Sequence, residues 1–294
     1  MSARSLLRVF AALLLCSFSA AAPADGSHHI FWVARGAHNT VYLLGSVHVL
    51  KPSDSDLPQE ALQAYAAASS LVMELDLNNV GASAGLLGDD ADMEMLPEGQ
   101  TLADALGPEV YERFASHVRK LGLDQSMFER FQPWFAALAM QQAELSKEGF
   151  EAGSGVDEQL AARAAADNKP IVGLESVDDQ LGIFAHLSLP QQRRLMLYML
   201  DDADDAARSA EQVVAAWRRG DTRELERLLS ESSAEYPELF RLLTTDRNRR
   251  WLPTLLELLH QPQDYLVVVG ALHLVGRDGL VQLLQDAGYS VVQR

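Results

Sequence analysis

Two histidines near opposite ends of the chain close the same four-residue pattern, Gly45-Ser46-Val47-His48 and Gly270-Ala271-Leu272-His273. Each pattern follows a short apolar run, Thr40 to Leu44 in the first case and Tyr265 to Val269 in the second. Runs of that length and composition read as buried strands, so each glycine falls at a turn where a strand ends. Glycine turns without a Cβ clash, which lets the histidine three residues on point back over the sheet edge. In an α/β sheet the crevice beyond the carboxyl ends of the strands is where ligands bind, and two histidines on neighbouring strands there can share one metal. Glu74, at the end of the apolar run Leu71-Val72-Met73-Glu74-Leu75, adds a hard carboxylate. His48, Glu74 and His273 are therefore the candidate metal ligands, with coordination positions left open for water. That donor mix suits zinc, manganese, cobalt or iron without choosing among them. Such a cation acidifies a coordinated water and polarises a carbonyl, so the chemistry it points to is hydrolysis. Glu175, in the strand-end sequence Gly173-Leu174-Glu175, is a candidate fourth ligand or general base. Arg247 is a candidate for neutralising charge on a substrate oxygen.

Each assignment has a plainer alternative. A single Gly-x-x-His is a weak signal, and it is the pair in matching contexts that carries information. Glu74 can instead be a buried acid paired with an arginine, Glu175 followed by Ser176 can be a helix start, and Arg247 can be a surface salt-bridge partner. His28, His29, His38, His117, His186 and His260 lack a comparable context and read as structural. The chain has no Gly-x-Ser-x-Gly elbow, no His-Glu-x-x-His and no phosphate-binding loop ending in Lys-Ser or Lys-Thr. Ser46 lies beside His48, but nothing marks partners for it as a nucleophile.

The elements that must position these residues are legible in outline. Ile30 to Ala34 and Thr40 to Leu44 are rich in β-branched and aromatic residues and flank turn chemistry at Gly36-Ala37-His38-Asn39, which predicts a hairpin. A short helix is expected near Gln59 to Ala68. Thr101 to Asn168 carries helical spacing with start signals at Thr101, Pro108 and Pro133. A third buried strand is expected at Pro170 to Leu174, and helices resume from Leu189 through His260. The tail reads as strand Tyr265 to Val269, helix Asp278 to Ala287 stopped by Gly288, and strand Tyr289 to Val292. The expectation is an α/β (α+β) fold, with a mixed β-sheet core, a helix-rich middle and a C-terminal β-α-β unit.

Composition sets the setting. Met1 to Ala24 places Arg4 and Arg8 ahead of the apolar run Val9 to Phe18 and ends in small residues, the layout of a signal peptide cleaved after Ala24. That run is shorter than the roughly 20 residues needed to cross a bilayer, so no stable membrane insertion is expected after cleavage, and the protein is expected to be periplasmic or secreted. The single cysteine, Cys16, lies in this segment behind Leu15, where a lipoprotein signal needs a small residue. Residues 25–294 would then hold neither a disulfide nor a thiolate ligand. With 41 acidic against 24 basic residues and a formal charge of −17, nucleic acid is excluded as a partner, because it demands a basic patch. The acidic clusters at Asp89, Asp90, Asp92 and Glu94 and at Asp201, Asp202, Asp204 and Asp205 lack EF-hand spacing. With 48% hydrophobic residues and no long linker, residues 25–294 are expected to form a single domain.

Taken in order, Val41 to His48, the strand bearing Glu74, Pro133-Trp134, Gly155-Val156-Asp157, Gly173-Leu174-Glu175, Arg247-Asn248 and Gly270-Ala271-Leu272-His273-Leu274 with Gly276 and Gly279 resemble the TraB/GumN/TIKI family. The resemblance runs from about Ile30 to Val292. It implies a relation to TIKI-type metal-dependent proteases, and a fold like the erythromycin-esterase (EreA) and haem-binding ChaN proteins. By that resemblance His48, Glu74 and His273 match active-site positions and Arg247 is a looser match. The expected function is an exported metal-dependent hydrolase, most readily peptidase-like, with a divalent transition metal (Mn, Co or Zn) and a peptide or small-molecule substrate. A non-catalytic periplasmic protein holding haem, a metal or a peptide in the same crevice is the competing expectation. A scaffold built on the helical middle is a third, supported only by the abundance of helices.

Overall fold

The computed structural model describes residues 29–78, 93–203 and 206–294. The expected signal segment, His28, Asp89, Asp90, Asp92, Asp204 and Asp205 lie outside them. Among the described residues no helix is long and apolar enough to cross a membrane. The chain divides into two compact units.

The first unit is helical, and its described residues fall within 93–150 and 177–207. Thr101 opens it with a reciprocal capping box to Asp104, which satisfies two of the backbone donors a helix start leaves unpaired. Gly107, at φ +78°, ends the helix Leu102–Leu106 and begins Pro108–Lys120, a backbone setting that favours glycine. The helix Pro133–Lys147 is buried along most of its length. Its Trp134 stacks on Phe184 with ring centroids 5.8 Å apart, while Phe135 meets Phe131 edge-on at 4.7 Å. Buried His117 is engaged by Glu144 here, which agrees with a structural reading of that histidine.

The second unit, residues 29–78, 151–176 and 208–294, holds the sheet. Its six strands are β1 (Phe31–Arg35), β2 (Thr40–Ser46), β3 (Ser70–Met73), β4 (Ile171–Gly173), β5 (Tyr265–Gly270) and β6 (Val291–Gln293), in the spatial order β4-β3-β5-β2-β1-β6. The expected hairpin is present as antiparallel β1 and β2. The strands β4, β3, β5 and β2 run parallel to one another, and β6 pairs antiparallel with β1. This is the mixed sheet of an α/β fold. Leu266 to Val269 are at most 1% exposed, as expected of a central parallel strand covered on both faces.

Three details depart from the sequence reading. The third strand is shorter than Pro170 to Leu174 and is not buried: β4 lies at the sheet edge and Val172 is 47% exposed. An apolar run cannot by itself tell an edge strand from a central one. The C-terminal β-α-β unit is real, with its helix at Leu280–Asp286 rather than Asp278 to Ala287, but β5 and β6 are not adjacent, since β2 and β1 lie between them. Gly45 is also not at a turn. It lies within β2, opposite Val269.

The glycine at position 45 is required by space. A Cβ there would come 2.2 Å from Ile30 Cγ2 and 3.0 Å from the Ala271 Cα. Buried overpacking of this kind costs about 1–3 kcal/mol, so Gly45→Ala is expected to lower the urea midpoint with an unchanged m-value. An unchanged midpoint would mean that Ile30 can move aside.

Candidate functional site

All four parallel strands deliver one side chain at their carboxyl ends, each belonging to the sheet unit. Glu74 follows β3 directly, Glu175 is two residues beyond β4, His48 two beyond β2 and His273 three beyond β5. Because β5 lies between β3 and β2, residues from both ends of the sequence meet at one edge. This is the crevice in which α/β sheets bind ligands. The structure brings together all five residues singled out from sequence.

Glu74 is the centre. Its Oε1 accepts from the backbone N–H of Gly270 at 2.7 Å and stands 4.0 Å from His48 Nε2 and 3.9 Å from His273 Nε2. Its Oε2 accepts from Arg247 Nη2 at 2.5 Å. A Cβ on Gly270 would lie 3.2 Å from His48 Nε2 and 3.3 Å from Glu74 Oε1. This glycine too is needed for close approach, here of the site's own side chains.

Arg247 is buried, 5% exposed, which overturns the surface salt-bridge alternative. It comes from the helix Asp246–Leu258. One guanidinium donates to Glu74, to both oxygens of Glu175 at 3.1 and 3.2 Å through Nε, and to Glu175 Oε1 at 2.5 Å through Nη2. Its Nη1 donates to the Leu243 carbonyl at 3.2 Å and lies 3.1 Å from His273 Nε2. The guanidinium also sits 4.5 Å over the Trp251 ring, and Trp251 packs 4.6 Å from the His273 ring. Leu243 belongs to a π-helical turn, Arg241–Thr245, just before this helix, a local widening often found at functional positions. The plainer readings of the two acids are thus partly true. Glu74 is paired with an arginine, and Glu175 does stand just ahead of the helix Val177–Ala185, yet both carboxylates also face the site.

Two further residues complete the arrangement. His48 Nδ1 lies 3.1 Å from Asp157 Oδ1, and His273 Nδ1 lies 2.6 Å from Asn248 Oδ1. Asp157 sits in the first turn of the helix Val156–Asp167. The loop before it docks on the loop after β2 through Val156 N–H to the Val47 carbonyl at 3.0 Å. Gly155 makes that docking possible, because a Cβ there would fall 2.2 Å from the His48 carbonyl oxygen. Neither Asp157 nor Asn248 was assigned a role from sequence. The signal available was position, an acid just after a glycine at a helix start and an amide beside Arg247.

The charges follow from this packing. Burial alone would depress His48, but Asp157, aided by Glu74, raises it to about 9. Burial works against ionised Glu74, yet Arg247 and the other partners hold it down to about 2. For His273, burial and the neighbouring Arg247 charge act together and lower it to about 3. Burial lifts Glu175 above the ordinary carboxylate range, with Arg247 pulling the other way. At neutral pH the site therefore holds an imidazolium at His48, a carboxylate at Glu74 and a neutral imidazole at His273.

The donor types fit a divalent cation. Both imidazoles turn Nε2 toward one carboxylate oxygen, while Nδ1 of His273 is hydrogen-bonded to Asn248 and Nδ1 of His48 lies 3.1 Å from Asp157, the side from which metal-binding histidines are usually supported. The spacing is more open than the donor set. Among the described residues no group of three or more His, Asp or Glu side chains stands ready to enclose a metal, and Arg247 already engages His273 Nε2.

The chain is similar to known proteins over most of its length. The family model described as the TraB/PrgY/gumN family matches residues 30–293. The uncharacterized protein YbaP of Escherichia coli is 27% identical over 248 residues, covering 83% of this chain and 87% of that protein. Metalloprotease TIKI2 of Xenopus tropicalis is 23% identical over 320 residues, covering 88% of this chain and 58% of that protein. A metalloprotease TIKI homolog of Nematostella vectensis is 23% identical over 328 residues, covering 92% and 68% respectively. No solved structure matches this chain significantly.

Three of the shifted groups set the expected pH trend of metal-free stability, with raised Glu175 opposing them on the acid side. Between pH 6.5 and about 9 the folded state holds a proton on His48 that the unfolded chain has released, so stability falls as pH rises through that window. Between 6.5 and about 3 the unfolded chain binds a proton that buried His273 refuses, and Glu74 acts with the same sign from 4.5 down to about 2, so stability falls with acidification. Urea midpoints are expected to peak near pH 6.5, and His48→Gln is expected to flatten the alkaline limb. An alkaline limb unchanged in that variant would assign it to another group.

Proposed function

This chain belongs to the TraB/PrgY/gumN family, and on that premise we propose that it is an exported, metal-dependent hydrolase of peptidase-like specificity. One observation carries the reading: His48 and His273 direct Nε2 at the same oxygen of Glu74, each with Nδ1 faced by an outer oxygen. Likeness to proteins named as TIKI metalloproteases over most of the chain supports the same class. His48, Glu74 and His273 are the residues that would hold the cation, one of Mn, Co or Zn. A cation held there supplies Lewis acidity toward a carbonyl and acidifies water.

The rest of the work falls to the chain's own residues. Asp157 and Asn248 orient the imidazoles. Glu175, lifted by burial and backed by Arg247, is the group placed to accept a proton. Arg247 is the cation closest to both carboxylates, and when His273 Nε2 is engaged by a ligand its Nη1 is released to donate to a substrate oxygen. Glu74 and His273 side chains are 6% and 7% exposed, so the reacting groups lie largely out of water, where such donation is strongest. The substrate class is a peptide, with small esters or amides next, and the signal segment would place the reaction in the periplasm or outside the cell.

The competing reading is a non-catalytic holder of haem, a metal or a peptide. It is favoured by the Arg247 contact to His273 Nε2, which leaves His48 as the histidine that would hold the group.

Elemental analysis of the purified protein separates the two. Wild type is expected to carry about one equivalent of a transition metal and His48→Ala/His273→Ala almost none. Peptide cleavage should disappear on chelation and return with Mn, Co or Zn. A folded protein that takes up no metal after reconstitution, or that shows a haem absorption band dependent on His48 alone, would defeat the hydrolase reading.

A further inference from the structure

We infer that Asn248 is a positioning residue that locks His273 in the tautomer carrying its proton on Nδ1, leaving the Nε2 lone pair aimed into the site. The proposed use of that lone pair rests on the hydrolase reading, but the lock itself does not.

Two separate constraints lead to the same tautomer. The carboxamide of Asn248 is fixed in orientation from the far side, because its Nδ2 donates to the His273 carbonyl at 3.2 Å and to the Asp278 carbonyl at 2.8 Å. Its Oδ1 is therefore the atom 2.6 Å from His273 Nδ1, and a carbonyl oxygen there requires Nδ1 to donate. On the other side of the ring, Arg247 Nη1 stands 3.1 Å from Nε2. A guanidinium has donors only, so Nε2 must accept.

The two constraints differ in what they permit. Arg247 holds the ring by occupying the very lone pair that a ligand or a transferred proton must use, so its grip ends when the site works. Asn248 acts from the opposite edge and keeps its hold throughout. It is 2% exposed and ties the helix Asp246–Leu258 to the Ala271–His273 turn through both ring and backbone. It also lines a cavity of about 500 Å³ shared with Thr244, Thr245, Leu272 and Asp278. With Asn248 truncated, Nδ1 loses its fixed acceptor, water in its place donates as readily as it accepts, and only Arg247 is left to select the tautomer.

The test uses the full chain labelled with ¹⁵N-histidine, with long-range ¹H–¹⁵N spectra reporting which ring nitrogen of His273 is protonated. Wild type is expected to show Nδ1–H. Asn248→Ala should shift part of the population toward Nε2–H, opposed only by Arg247, and weaken Co²⁺ binding by about 10–100-fold, the usual cost of losing an outer-shell partner. Asn248→Asp retains an acceptor at Nδ1 but sets a carboxylate against two carbonyls. It should be the less stable variant while keeping the tautomer and the larger share of Co²⁺ affinity and peptide turnover. That inverse order of stability and function is one a purely structural role would not produce. A wild-type spectrum with the proton on Nε2 overturns the inference without any variant having to fold. Asn248→Ala that keeps both tautomer and Co²⁺ affinity overturns it as well. If the chain proves to have no hydrolase activity or binds no Co²⁺, the hydrolase reading fails while the tautomer measurement still decides this one.

Discussion

Two buried carboxylates at one end of a sheet can both stay ionised only when a cation offsets their repulsion, and in this protein the group between them is Arg247. Glu74 and Glu175 come from adjacent strands and both side chains are almost out of water. Left alone they would repel and take up protons. A single guanidinium, faced by a tryptophan ring and anchored to a helix carbonyl, keeps Glu74 ionised and sets Glu175 apart from it. The same group depresses the neighbouring His273. Removing one partner of such a buried set costs about 3–5 kcal/mol, because the remaining charges are stranded. The charge pattern of the whole site thus hangs on one side chain brought in by the helix Asp246–Leu258.

The second constraint is distance, and it is met by leaving atoms out. Gly45, Gly155 and Gly270 each lie where a Cβ would press on a neighbour. At Gly155 the omission lets a helix start reach the His48 backbone and present Asp157 to the ring. At Gly270 it lets Glu74 take a main-chain hydrogen bond while both imidazoles gather round the same carboxylate. Backbone contacts of this kind are rigid, which is what a site needs if several strands are to supply one residue each.

Much of this was legible in the residues. The apolar strands announced themselves by length and β-branching, and the paired Gly-x-x-His patterns gave both histidines because each follows such a strand. Glu74 stood out as an acid ending an apolar run. What could not be read was anything set by lateral order. Val172 looked buried because an apolar tripeptide is the same string at an edge or in the centre. The glycines suggested turns because their other use, making room for a partner distant in sequence, has no local signature. Asp157 and Asn248 were hidden for the same reason: an acid in a helix's first turn and an amide in a helix are ordinary until the ring each one faces is known. Arg247 stood as a candidate with a surface salt bridge as its plainer alternative, and the fold decides between them: it turns inward while Arg249 and Arg250 stay exposed.

The lateral order of the strands also governs when the site can exist. The strand made from residues 265–270 inserts between two strands made from the first quarter of the chain, so β2 and β3 never pair with each other. Closing the sheet between those early strands requires a segment nearly two hundred residues further along the chain. Non-local pairing of this kind is slow to form, and here it makes the sheet a check on completeness. A chain truncated before its last thirty or so residues lacks His273, the Gly270 amide and the strand that brings Glu74 beside His48. It can hold no partly competent centre. The site residues can stand together only once β5 has inserted between β2 and β3.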